Sequence, residues 1–412
     1  MKSALTVLAP GLFAGLTLLM PVAHGAVTEE QVQELLERIE AQDRRIAELE
    51  QANKPAAPPA PAPAATTAAP AKSPAAWAEK VSIQGDLRYR YENIDAENAD
   101  DERNRQRLRA RAAIIAKPQD NLEVGIGLST GQDGDPVSGN QTIGDGGSRK
   151  DIYLDLAYFN WAALPGLNVT GGKFKNLLYR PGKHALLWDS DWNPEGFAAS
   201  YVNGPFFVNA IGTWLESDSN DTEEFAYGAQ VGIAQPLGDM LRVTGGVGYY
   251  SFGTAGKGTF YGDDDAFGDN SFDPLTNLYV YDYDEIEAFA ELAFKVAGLP
   301  ASIFADYVQN TDADEFDTGW AAGVSVGAAK AKGTWEASYA YQDLEPDAVL
   351  ALLTDSDFGG GGTDNEGHVL RGAYAVSDKW NLAFSYFINT IDQNTGTEQD
   401  YDRLQLDVNF KY

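Results

Sequence analysis

Arginine occupies positions 103, 105, 107, 109 and 111, and Leu108, Ala110, Ala112, Ile114 and Ala116 fill alternate places after it. In a helix this spacing would scatter the arginines around the axis. In a strand it lines them along one face, because strand side chains alternate with period two. A second such face carries Asp86, Arg88, Arg90 and Glu92, opposite Leu87, Tyr89 and Tyr91. Paired, the two strands would set Arg107, Arg109 and Arg111 beside Arg88 and Arg90. The chemistry on offer is electrostatic. Opposed charges across a narrow, low-dielectric gap give a transverse field that sorts small polar solutes by charge and dipole. Acids able to face the arginines occur at Asp189, Asp191 and Glu195, in the same stretch as Arg180 and Lys183. A plainer expectation competes, in which the arginines pair with Asp86, Glu123 or Asp155 and merely hold the wall.

A strand charged on one side and apolar on the other needs water on the first and oil on the second. A membrane barrel around a wet channel supplies both, although a half-buried strand of a soluble sheet also alternates. From Val81 the pattern recurs in sixteen segments: 81–93, 103–116, 120–131, 150–162, 167–176, 196–203, 205–216, 224–235, 239–252, 284–297, 300–310, 318–330, 333–343, 366–376, 379–390 and 402–412. Each is near the ~9–11 residues of a tilted membrane strand. The connections sort by length. Short ones follow even segments, as at Lys117–Gln119 and Gly298–Leu299, and longer polar ones follow odd segments, as at Gly131–Arg149 and Leu344–Asn365. That sorting predicts an all-β, 16-stranded antiparallel transmembrane barrel. Leu404, Leu406, Val408, Phe410 and Tyr412 give the last segment its apolar stripe, and Trp161, Trp214, Trp320, Trp335 and Trp380 suit interfacial girdles.

The N-terminal part reads differently. Residues 1–25 resemble a secretory signal peptide: Lys2, an apolar run to Met20, and small residues at Ala23 and Gly25. Within 26–52, Val32, Leu35, Ile39, Gln42, Ile46 and Leu49 follow coiled-coil a/d spacing behind a Thr28–Gln31 capping box. Residues 53–76 are mostly alanine and proline, an extended spacer reaching on the order of 70 Å. The barrel is expected over 77–412, with the coiled coil on its periplasmic side as an assembly device or a tether to peptidoglycan or another periplasmic partner.

Of 412 residues none is cysteine, and the net charge of −31 argues against nucleic-acid binding. Acids concentrate in the long loops, as at Asp95–Glu102, Asp263–Asp265, Asp312–Asp317 and Asp355–Asp364, predicting a solvated anionic mouth that divalent cations could bridge to lipopolysaccharide. No resident metal, cofactor or catalytic residue is expected. Gly125, Gly127 and Gly131 form no phosphate loop, and His184 near Asp189 has neither serine nor metal-ligand spacing around it.

Leu177–Glu195, LLYRPGKHALLWDSDWNPE, is too apolar to lie free in water and is expected to fold into the lumen. Here the chain resembles the putative porin family of Gram-negative bacteria. The resemblance rests on Gly172-Lys173-Phe174-Lys175-Asn176, Tyr179-Arg180-Pro181-Gly182-Lys183, Trp188 through Gly196, and the opening Gly85-Asp86-Leu87-Arg88-Tyr89-Arg90-Tyr91. It implies an outer-membrane diffusion channel, homotrimeric, for small hydrophilic solutes and ions. The inward third loop would face a wall of Arg88, Arg90, Arg105, Arg107, Arg109 and Arg111. A structural tether or a solute-specific conduit sleeve are the alternatives.

Overall fold

The computed structural model describes residues 78–217, 223–260 and 267–412. The expected signal peptide, coiled coil and linker lie outside them, as do Asp263–Asp265. The chain divides into Met1–Ala71 and Lys72–Tyr412, and the described residues all belong to the second unit. Its strands are β1 (Val81–Ala96), β2 (Arg103–Gln119), β3 (Leu122–Thr130), β4 (Gln141–Ile143), β5 (Ile152–Leu164), β6 (Leu167–Lys173), β7 (Glu195–Asn203), β8 (Phe206–Glu216), β9 (Glu224–Leu237), β10 (Leu241–Phe252), β11 (Tyr283–Val296), β12 (Leu299–Asn310), β13 (Thr318–Gly327), β14 (Trp335–Leu344), β15 (Asn365–Ser377), β16 (Trp380–Ile391) and β17 (Gln399–Lys411).

Neighbouring strands pair antiparallel in sequence order, and β17 closes on β1 from Asp86↔Lys411 to Ala96↔Tyr401. Closure leaves the sheet no edge. Sixteen strands form the wall, as the alternation predicts. The seventeenth, β4, is too short to show a period. It pairs with β2 from Gln106 to Leu108, where β3 has already left that edge, and β3 goes on to pair with β5.

The period-two pattern is inverted relative to a soluble sheet. Along β9 buried and exposed residues alternate, but the exposed ones are Phe225, Tyr227, Val231 and Ile233, while Gln230 is wholly buried. Ile126 is 60% exposed and Ile303 46%, whereas Glu287, Gln342 and Gln405 are buried. An apolar outside and a polar inside suit lipid around a hydrated lumen, and rule out the half-buried soluble sheet. Trp161 and Trp335 point outward near short connections, Trp214 and Trp320 near long ones. Loop sorting holds with one exception, since the turn between Gly327 and Trp335 matches the length of the connection between Asn310 and Thr318.

Buried apolar packing lies inside the barrel, between inner-wall residues such as Phe304 and Val308 and several loops, of which two contribute most. One is residues 174–194, with Phe174, Leu178, Leu186, Leu187, Trp188 and Trp192. The other is 345–364, with Ala348, Val349, Leu350, Leu352, Leu353 and Phe358. The second corrects the sequence expectation. This connection is neither polar nor part of a solvated mouth: Asp347, Asp355 and Asp364 are all buried. Six adjacent apolar or small residues there cannot remain in water, and they bury against the first loop and the inner wall.

Candidate functional site

The β1–β2 register sets the inner face rung by rung. Asp86 lies opposite Arg111, Arg88 opposite Arg109, Arg90 opposite Arg107 and Glu92 opposite Arg105. The two middle rungs are arginine against arginine, an arrangement that repels unless acids arrive from elsewhere. On the other side of β1, Asp407 of β17 takes Arg90 in a two-pronged bond of 2.7 and 2.9 Å. Glu92 receives Arg105 and Arg403.

Loop residues supply the remaining charge. Loop 174–194 threads the lumen on a series of wall contacts. Gln230 exchanges hydrogen bonds with the backbone of Tyr179 (2.7 and 2.9 Å), and Glu291 accepts from the Tyr179 hydroxyl (2.6 Å) and the Gly182 N–H (2.9 Å). Gly182 has φ +58, and a Cβ there would lie 2.1 Å from the Phe304 ring, so this turn admits only glycine. His184 Nε2 donates to Gln342 Oε1 at 2.8 Å rather than meeting an acid. Burial, with Arg371 nearby, pulls its pKa down to about 4, so it is neutral near pH 7 and forms no catalytic pair with Asp189. Trp188 stacks on Trp192 at 5.1 Å and meets Tyr250 edge-on at 4.8 Å, while Arg180 donates to the Trp188 carbonyl.

This path delivers Asp191 to Arg109 (2.9 Å) and Arg111 (3.0 Å), both of which also hold Asp86. Burial pushes the Asp191 carboxyl up, but Arg109, Arg111 and Arg88 outweigh it and hold it below the usual range. Loop 345–364 delivers Asp357 to Arg90 (3.1 Å) and Arg403 (2.6 Å). Burial acts against that carboxyl too, and Arg403, Arg90 and Arg88 bring it well below the usual range. A third loop, between β3 and β5, places Asn140 against Arg88 (2.6 Å) and near Arg107.

The expected residues therefore separate. Arg88, Arg90, Arg105, Arg107, Arg109 and Arg111 share one inner face, with Asp191 opposite two of them. Asp189 does not face the arginines. It accepts from the backbone N–H groups of Asp191 (2.7 Å) and Ser356 (3.0 Å), tying the two inward loops together. Burial beside Asp191 and Asp355 raises its pKa well above the usual range. Glu195 sits on β7, paired with Lys173 at 2.7 Å. Arg180 and Lys183 line another cavity, of 690 Å³, with Arg242 and Glu291. Glu123 and Asp155, offered as wall partners, bind Tyr158 and Asn193 instead. Asn140, Asp357, Arg403 and Asp407 were not foreseen. Among the described residues no cluster of acids and histidines fits a metal ion.

Two cavities flank the loops. On the short-connection side a cavity of 1150 Å³ is lined by Asp86, Arg109, Lys175, Lys379 and Asn409. On the long-connection side one of 340 Å³ is lined by Asp135, Lys173, Asp191 and Asn193. Arg111 and Asp155 line both. A closed wall with an apolar outside thus encloses cavities on either side of the charged cluster.

The family model described as "Putative porin" matches residues 92–259 and 271–412. The chain belongs to the putative porin family. Family and barrel together support the function of an outer-membrane channel. Among solved structures, its fold is similar to that of OprB from Pseudomonas putida, with 13% identity, 81% of this chain and 95% of that chain covered, and a TM-score of 0.55. A loop-deleted OmpT of Vibrio cholerae is 15% identical over 81% of this chain and 99% of its own, with a TM-score of 0.47. For OmpF of Salmonella typhi the values are 10%, 81%, 97% and 0.48. No match is found among the curated proteins.

Proposed function

We propose that this porin is a passive diffusion channel for small hydrophilic solutes and ions, narrowed where loop 174–194 meets the arginine wall, and that it favours anions there. The observation that carries the reading is the pair of lumen cavities sharing Arg111 and Asp155. Solutes crossing from one to the other pass Arg111 and Asp155, beside the cluster in which Asp191 closes on Arg109 and Arg111 at 2.9 and 3.0 Å. Confinement between low-dielectric walls strengthens that field relative to open water. The arginines of β1, β2 and β17 outnumber the carboxylates that reach them, which sets the sign of the preference.

In this reading residues 1–25 are removed on export, 26–52 form a periplasmic coiled coil, 53–76 a spacer and 77–412 the barrel. The coiled coil serves homotrimer assembly or a periplasmic partner, and the outer surface meets lipid and lipopolysaccharide. Planar-bilayer recording tests the channel: ohmic steps are expected, and deletion of Thr28–Ala76 should leave step size unchanged. A barrel that inserts without conducting would favour the tether or the sleeve instead.

A further inference from the structure

Three loops each bring one short polar residue to wall arginines, two through a side-chain carboxylate and one through a side-chain amide and its own main-chain carbonyl. Asp191 takes Arg109 and Arg111, and Asp357 takes Arg90 and Arg403. Asn140 takes Arg88, whose Nη2 donates to its Oδ1 at 2.6 Å, and its carbonyl oxygen lies 3.5 Å from Nη2 of Arg107. The third docking is made by a neutral amide of the same shape as the other two acids. It orients its arginines without cancelling their charge.

Other groups do not make up the difference. Among the described residues no carboxylate lies within ion-pair distance of Arg88 or Arg107, and the Nε of each is buried without a partner. Arg107 is only 5% exposed, while Arg88 is partly open. The Asn140 amide is itself fixed, because its Nδ2 donates to Ser138 Oγ at 3.1 Å and leaves the oxygen aimed at Arg88. Two guanidiniums held this way, short of water and of counter-charge, are a costly arrangement that a bound anion would relieve. Their planar forks match paired oxygens better than a spherical ion.

We infer that Arg88 and Arg107, positioned by Asn140, form a binding site for a small oxyanion at the waist of the channel. The inference rests on the channel reading, and it deepens that reading from a charge preference to a saturable site for phosphate-like or carboxylate-bearing solutes. Chloride as a loose counter-ion is the competing occupant.

The test records chloride current through single channels in planar bilayers while inorganic phosphate is added at constant ionic strength. Wild-type current should fall and saturate. Asn140→Asp, which adds a carboxylate with almost no change in shape, should weaken this block at least about tenfold. Asn140→Ala, which removes the positioning bond but adds no charge, should retain more block than Asn140→Asp. A purely structural role for Asn140 would not produce that order. A non-saturating decline, or identical block in wild type and Asn140→Asp, overturns the site and leaves the channel standing. Absence of conducting steps in any buffer overturns the channel reading. The site is then judged alone by calorimetric titration of phosphate into the detergent-solubilised protein, where saturable binding lost in Asn140→Asp supports it and no binding refutes it.

Discussion

The two inward loops reach the same arginine wall by different means. Loop 174–194 is fixed by aromatic packing: Trp188 lies against Trp192 and Tyr250, Tyr179 stacks on Phe289 at 5.3 Å, and its acid makes the last contact. Loop 345–364 carries one aromatic ring, Phe358, then four consecutive glycines, Gly359 to Gly362, all at positive φ. It meets the wall through Asp357 on Arg90 and Arg403, Asp355 on Arg371, Asp347 on the Tyr283 hydroxyl and the Leu350 N–H on Glu285, and it meets the first loop through Asp189, whose N–H donates to the Leu353 carbonyl at 2.7 Å and whose carboxylate accepts from the Ser356 N–H at 3.0 Å. The first loop is a packed partition that happens to carry charge. The second is a short apolar plug latched by charge, with a backbone that only glycine follows easily.

That contrast can be broken from either side. Trp188→Ala should do the most, because truncating a buried tryptophan costs roughly 3–5 kcal/mol. It should unseat the first loop and, through the Asp189–Leu353 bond, loosen the second. The expected readouts are larger single-channel steps and a lower temperature of heat-modified gel mobility. Asp357→Asn should do less, about 1–3 kcal/mol, because Arg90 keeps Asp407 and Arg403 keeps Glu92. Step size should rise modestly and current noise more, with the unfolding temperature nearly unchanged. An equal loss of stability in both variants would erase the distinction drawn here.

Acid should act on the charged latch before the packed partition. Asp191 and Asp357 are both held below the usual carboxylate value of 3.8, so the docking they provide is complete above that value and is lost as pH falls through the lowered ones. Asp189 runs the other way: its raised pKa means that the protonated form is favoured in the fold, and acid does not release the link it makes. Loss of the docking made by Asp191 and Asp357, read as a rise in step size, should therefore come only below about pH 4. The change should be smaller than that of Trp188→Ala, since the tryptophan packing survives. An unchanged step size below that pH would contradict this assignment.

How much of this was legible depended on whether side chains kept a period. The wall strands alternate strictly, so the arginine rungs and the facing of Arg88 and Arg90 by Arg109 and Arg107 could be read directly. The first loop announced itself by Trp188 and Trp192 in an otherwise polar setting. The second did not, because its apolar residues run together as Ala348 to Leu353 and its aspartates suggested solvent. Within an irregular loop, spacing says nothing about direction. Asp189 and Asp191 are two residues apart, yet one binds backbone and the other binds arginine. Asn140 carried no signal at all, being one asparagine in a glycine-rich connection.

The most direct measurement is the reversal potential of single channels in a potassium chloride gradient, for wild type and for Arg107→Ala with Arg109→Ala. A wild-type potential of anion-favouring sign that moves toward cations in the double variant is the expected result. A cation-favouring wild type, or a double variant with unchanged potential, would contradict the claim that the arginine wall sets what passes.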